Sequence, residues 1–376
     1  MSVPASQLID ALLEPERVAG FGLGDWEQVI AQARVSLLMV RLATVLEEAG
    51  VLDSVPPGPR KHLESIMYLR DCQRRAVRWE VDHLALALKQ VEIPLVLLKG
   101  AAYEAAALPP GRCRLFSDFD LLVSRDQLQT AEIALMRHGW ASAYHDAYDQ
   151  RYYRTWMHEL PPMRHIRRHS IVDVHHNLIP DSARLRPDPE KLLASSVACP
   201  GHDNVRVLAG PDMILHSAVH LFHDGEFDHG LRDLFDLRDL VTHFMTGPEA
   251  WEQLVQRGYE LNLARPLHYS LRYLQQVLNL EVPQASISQL RPAAPGILAT
   301  KTLDRVFLRG LLPDHATCRD QWTGLSRFFL YVRGHSLRMP LHLLLPHLFR
   351  KGMKSMNLLP EPMVTPKMDP LGNRQI

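Results

Sequence analysis

The stretch LFSDFDLLV, residues 115–123, constrains the fold more than any other part of the sequence. Its apolar residues describe a short buried strand, yet Asp118 and Asp120 sit inside it, two positions apart. Side chains alternate across a strand, so residues i and i+2 share a face. Both carboxylates would then project side by side. Like charges that close repel, and burial makes the repulsion worse. A chain that keeps such a strand must hold something that cancels the repulsion.

A second acidic strand suggests what that is. IVDVHHNL, residues 171–178, places Asp173 among Ile171, Val172 and Val174, and alternation puts Asp173 and His175 on one face. A mixed sheet can bring this strand beside the first, so that Asp118, Asp120 and Asp173 converge. Three carboxylates are unfavourable alone and favourable around Mg²⁺ or Mn²⁺, which prefer oxygen ligands. Two such ions can clamp the attacking and leaving oxygens of an in-line displacement at phosphorus. Upstream, LLKGAAYEAA ends a strand at Lys99-Gly100 and begins a helix at once. Glycine permits close backbone approach to a ligand, and the free N–H groups of a helix start attract anions. Lys99 adds a point charge suited to phosphate. Arg114 lies four residues before Asp118, where it either reaches the same phosphates or pairs with a carboxylate. An anion-binding turn followed by a carboxylate pair describes a site for an NTP.

The surrounding pattern implies an α/β (α+β) fold, with a small mixed β-sheet between helical regions. Residues 1–90 read as helical. Asp25 and Gln28 suggest a capping box before a long periodic run closed by Gly50, and PPGP precedes a second long helix. Residues 91–182 read as strand–helix–strand–helix–strand–strand, the second helix capped by Ser124 and Gln127 and ended by Gly139. Helical periodicity returns from about 183 to 350, and the Pro-rich polar tail 351–376 is expected to be disordered.

Composition narrows the partners. Lys+Arg and Asp+Glu are both 42, so the chain has no overall pull toward nucleic acid or anionic membrane. The four cysteines show no CxxC spacing, which suggests neither a disulfide framework nor a zinc ribbon and fits a reducing cytoplasm. The N-terminus does not read as a signal peptide, and no apolar run is long enough to span a membrane. The 20 histidines keep a second metal reading open. His216, His220 and His223 share one helix face, and His223-Asp224 resembles the pair of a metal-dependent phosphohydrolase. Packing between helices is the plainer reading of these histidines. The apolar segment 338–354, with basic flanks, reads as a packed helix pair or as a docking element for a membrane surface or protein. A catalytically inactive nucleotide-binding scaffold would be expected to have lost its carboxylates, and this chain keeps all three.

Taken together, LLKGAA, the Arg-x-x-x-Asp-x-Asp strand and IVDVHHNL resemble the bacterial uncharacterised nucleotidyltransferase family. That family belongs to the DNA polymerase β-like nucleotidyltransferase superfamily. PDMILHSAVHLFHDG and LRDLFDLRDL resemble its helical segment, and the resemblance runs from about 90 to 245. It implies a polymerase-β-like sheet and transfer of an NMP group from an NTP to a hydroxyl, with release of pyrophosphate. It assigns Asp118 and Asp120 to the metals and Asp173 to metal or acceptor, and it puts Lys99 and Gly100 at the phosphate-binding turn; Arg114 is read beside them as a nucleotide-binding residue that neutralises charge on the leaving group. The superfamily usually carries Gly-Ser at the phosphate turn, where this chain has Lys99-Gly100-Ala101. The acceptor implied is a small molecule, a sugar or a protein, with nucleic acid less favoured.

Overall fold

The computed structural model describes residues 6–143, 147–223, 225 and 227–338, with 147–149 as backbone only. Asp224 and the segment 339–376, which includes most of the apolar 338–354 stretch and the whole tail, lie outside the described residues. The chain forms two compact units, each discontinuous in sequence. One comprises Met1–Arg75, Ala107–Leu115 and Ser217–Gly334; the other comprises Ala76–Ala106, Phe116–His216 and His335–Ile376.

The second unit carries the sheet. Its strands are β1 (Leu95–Leu98), β2 (Phe119–Leu122), β3 (Trp140–Ser142), β4 (Met163–His165), β5 (Ile171–His175), β6 (Val197–Ala198) and β7 (Val205–Val207). They form one seven-stranded sheet in the order β3-β4-β5-β2-β1-β7-β6. β2 is parallel to β5 and antiparallel to β1, and β1 is parallel to β7, so the sheet is mixed as expected. β1 reads LVLL without alternation because it is buried along its whole length. Leu95, Leu97, Leu121, Val172 and Val174 are fully buried and form the sheet's core.

Two sequence expectations change here. β2 starts only at Phe119, so Asp118 precedes the strand instead of sitting within it. Strands β3, β6 and β7 were not foreseen, and the last two lie where helices were expected to have returned. At two or three residues each, they are too short to show a period.

The first unit is helical. The long run after Trp26 breaks into Leu23–Val35 and Met39–Glu48, with Leu37 between them at φ +54°. Asp25 is the third residue of its helix, not its cap, and its Oδ2 accepts from the Gly22 N–H at 3.0 Å. An aromatic cluster fills the core, with Phe222 stacked on Tyr273 at 5.6 Å and met edge-on by Phe307 at 5.4 Å. The guanidinium of Arg333 lies 5.2 Å from the Phe307 ring centre. Among the described residues, no helix is long and apolar enough to cross a membrane.

Candidate active site

In the sheet unit, Asp120 on β2 stands directly across from Asp173 on β5. Both are buried, at 6% and 7% exposure. His175, two residues after Asp173, points to the same side, and its Nε2 donates to Asp120 Oδ1 at 3.0 Å. Lys99 Nζ lies 3.4 Å from the same oxygen. The repulsion expected between buried carboxylates is therefore met in part by the protein's own cations.

The β1-to-helix turn supplies the lysine. Leu98 pairs with Asp120 across the antiparallel β1–β2 ladder, and Lys99 follows it with φ +47°. A lysine in the left-handed region costs about 1–2 kcal/mol, and the turn sets its ammonium beside Asp120. Gly100 comes next. A Cβ there would lie 2.3 Å from Phe116 Cδ1, so the close approach that demands glycine is that of the Phe116 ring.

Charge at Asp120 follows from these contacts. Burial by itself would raise its pKa, but Lys99 and then His175 outweigh burial and hold the carboxyl well below the usual range. Burial likewise opposes charge on His175, but Glu159 and then Asp120 outweigh it and raise the imidazole. Sequence reasoning missed Glu159, whose Oε2 lies 3.3 Å from His175 Nδ1. Residues 158–160 lie antiparallel to the end of β5, and the Leu160 N–H donates to Val174 O at 2.8 Å. Pro161 and Pro162 separate this short segment from β4, so no strand period extends through it.

The other predicted residues have different places. Asp118 is half-buried just ahead of β2 and accepts from Ser117 Oγ at 2.9 Å. Arg114 belongs to the helical unit, where its Nη1 donates to Asp236 Oδ2 at 2.6 Å, the ion-pair alternative for that residue. His216 is buried in the sheet unit and adds to the positive field that lowers Asp120. His220 Nδ1 lies 3.9 Å from Asp233 Oδ2, and His223 is buried in the helical unit.

Asp118, Asp120 and Asp173 supply only hard oxygen donors, which fits Mg²⁺ or Mn²⁺. Among the described residues, one set of three has ligand atoms all within 4.8 Å of one another: His158, Glu159 and His175. Asp224, the partner that the phosphohydrolase reading pairs with His223, lies outside the described residues.

The sequence matches the family described as uncharacterised nucleotidyltransferase over residues 23–279, well beyond the 90–245 span of the motif resemblance. More than half of the chain is matched, and the protein belongs to this family. Membership supports nucleotidyl transfer as the general activity, with an NTP as substrate. No curated protein matches the chain.

Proposed function

We propose that the protein transfers an NMP group from an NTP to a hydroxyl of an acceptor and releases pyrophosphate, with Mg²⁺ or Mn²⁺ held by Asp118, Asp120 and Asp173. The observation that carries this reading is the in-register placement of Asp120 and Asp173 on the parallel strands β2 and β5. The bound cation would supply charge balance for the phosphate oxygens. In the displacement, the acceptor oxygen bonds to the α-phosphorus as the bond to the bridging pyrophosphate oxygen breaks. Asp173 orients the acceptor hydroxyl and takes its proton. Lys99 holds Asp120 in the free protein and turns to the β- and γ-phosphates once Asp120 has another partner. Gly100 lies at the same turn. Arg114, bonded to Asp236, is left out of this set. Most of the rate enhancement comes from positioning and electrostatics. The balanced charge of the chain favours a small molecule, sugar or protein as acceptor. The four cysteines are free thiols, and we place the reaction in a reducing cytoplasm.

Slow hydrolysis, with water as a poor acceptor, tests the reaction class. Each NTP is incubated with the protein and Mg²⁺ or Mn²⁺, and products are separated. NMP with pyrophosphate is expected. NDP with orthophosphate would contradict the proposal, because the bond cleaved would then be the terminal one.

A further inference from the structure

A second ligand set lies beside the aspartates, and its chemistry differs from theirs. His158, Glu159 and His175 each offer one ligand atom, all within 4.8 Å of one another. Their arrangement is set by backbone pairing. His176 N–H donates to His158 O and Leu160 N–H to Val174 O, both at 2.8 Å, and Glu159 bridges to His175 in antiparallel register. His158 falls in a bend ahead of that bridge, so it escapes strict alternation, and its ring lies 5.2 Å from the His175 ring at an angle of 38°.

The distances match those of a metal centre. Glu159 Oε2 and His175 Nδ1 are 3.3 Å apart. Two ligand atoms at about 2.0–2.1 Å from one tetrahedral zinc ion sit about that far from each other. The other nitrogen of His175 donates to Asp120 Oδ1 at 3.0 Å. A metal-bound histidine characteristically donates its second ring N–H to a carboxylate, which fixes its tautomer and orientation. Asp120 would play that part here. The rival arrangement is an imidazolium of His175 bridging the carboxylates of Glu159 and Asp120, which binds no metal.

We propose that His158, Glu159 and His175 form a binding site for a borderline divalent transition metal of the zinc class, three protein ligands leaving one position open. Two imidazoles and a carboxylate favour such a cation over Mg²⁺, which takes oxygen ligands. The site stands on ligand geometry alone and does not depend on the transfer reaction. It shares only Asp120 with the proposed nucleotide centre, and Asp120 is outside its ligand set.

Full-length protein stripped of metal is titrated with Co²⁺, read by visible absorption, and then with Zn²⁺ by calorimetric competition. One equivalent is expected, with tetrahedral cobalt bands that excess Mg²⁺ does not remove. Glu159→Gln and His158→Ala should each weaken binding by about 100-fold or more, while Asp118→Asn stays near wild type. Stoichiometric binding absent from the folded wild type, kept in both ligand variants, or lost with Asp118→Asn would overturn the site. X-ray absorption on the zinc-loaded wild type checks the ligands without any variant, so misfolding of a variant does not blunt the test. Two imidazole ligands are expected, and none would overturn the proposal.

Discussion

Asp120 in the sheet unit and Asp236 in the helical unit are both buried carboxylates, and the protein neutralises them differently. Asp236 is clamped by two guanidiniums, with Arg114 Nη1 2.6 Å from Oδ2 and Arg41 Nη2 3.1 Å from Oδ1. Arg41 also reaches Asp239 at 2.8 Å. Arginine keeps its charge at any ordinary pH and binds with a fixed fork. Asp120 is held through a single oxygen by Lys99 and His175. A lysine has a flexible stem, and a histidine can lose its proton near neutrality. Burial raises Asp236 more than Arg114 and Arg41 draw it down, whereas Asp120 is drawn well below the usual range. An acid clamped by arginines is a strut. An acid held by lysine and histidine can exchange them for a metal and a polyphosphate.

The largest effects should separate the two acids by readout. Asp118→Asn should reduce nucleotidyl transfer by about 10³-fold or more with the melting temperature kept or raised, whereas Asp120→Asn should reduce transfer as much and also lower the melting temperature, because it leaves Lys99 and His175 without their carboxylate. A clearly destabilised Asp118→Asn with normal turnover would break the contrast at its active end. Asp236→Asn should instead destabilise the protein by about 1–3 kcal/mol, since an amide can accept from only one of the two buried guanidiniums and turns its NH₂ toward the other, as denaturant melts would report. Its folded fraction should still turn over NTP. Wild-type stability in Asp236→Asn would break the contrast at its structural end.

A smaller effect sharpens the role of the turn that carries Lys99. Gly100→Ala drives a methyl into Phe116 and should cost about 1–3 kcal/mol. Phe116→Ala in the same chain should recover part of the loss. No recovery would mean that the glycine serves something other than this contact.

The smallest effect is on pH dependence in the metal-free protein. His175 is raised, so its contribution is complete below the ordinary value of 6.5 and fades as pH rises through the folded value. Asp120 is depressed, so its contribution is complete above the ordinary 3.8 and fades as pH falls toward the folded value. The pair therefore supports the fold best between these limits. Asp236 runs the other way: raised, it costs stability as pH climbs past 3.8 toward its folded value. His175→Gln should flatten the alkaline arm of the melting curve against pH. An unchanged arm would contradict the assigned role of His175.

Asp120 and Asp173 were readable because each interrupts an apolar strand, and their shared face follows from alternation once the strands pair. Asp118 was placed inside the strand because LFSDFDLLV carries no local signal for where pairing begins. Glu159 could not be found from its neighbours, since its position depends on residues 158–160 pairing with the end of β5. The arginine clamp is equally hidden, as Arg114 and Arg41 lie 122 and 195 residues from Asp236 in sequence. Helix Thr323–Arg338 shows the limit of apolar periodicity. It buries Thr323, Ser326, Leu330 and Gly334 and exposes Leu325 and Phe328 at 60% and 63%. Small residues there permit close packing, and the large apolar ones do not mark the buried face.

The central claim is that Asp118 and Asp120 hold the metal that binds an NTP. Calorimetric titration of each NTP, with Mg²⁺ and without it, into wild type and the Asp118→Asn/Asp120→Asn double variant tests it most directly. Magnesium-dependent binding that the double variant loses is the predicted result, and it also identifies the preferred base. No binding of any NTP by folded wild type, or equal binding by the double variant, would contradict it.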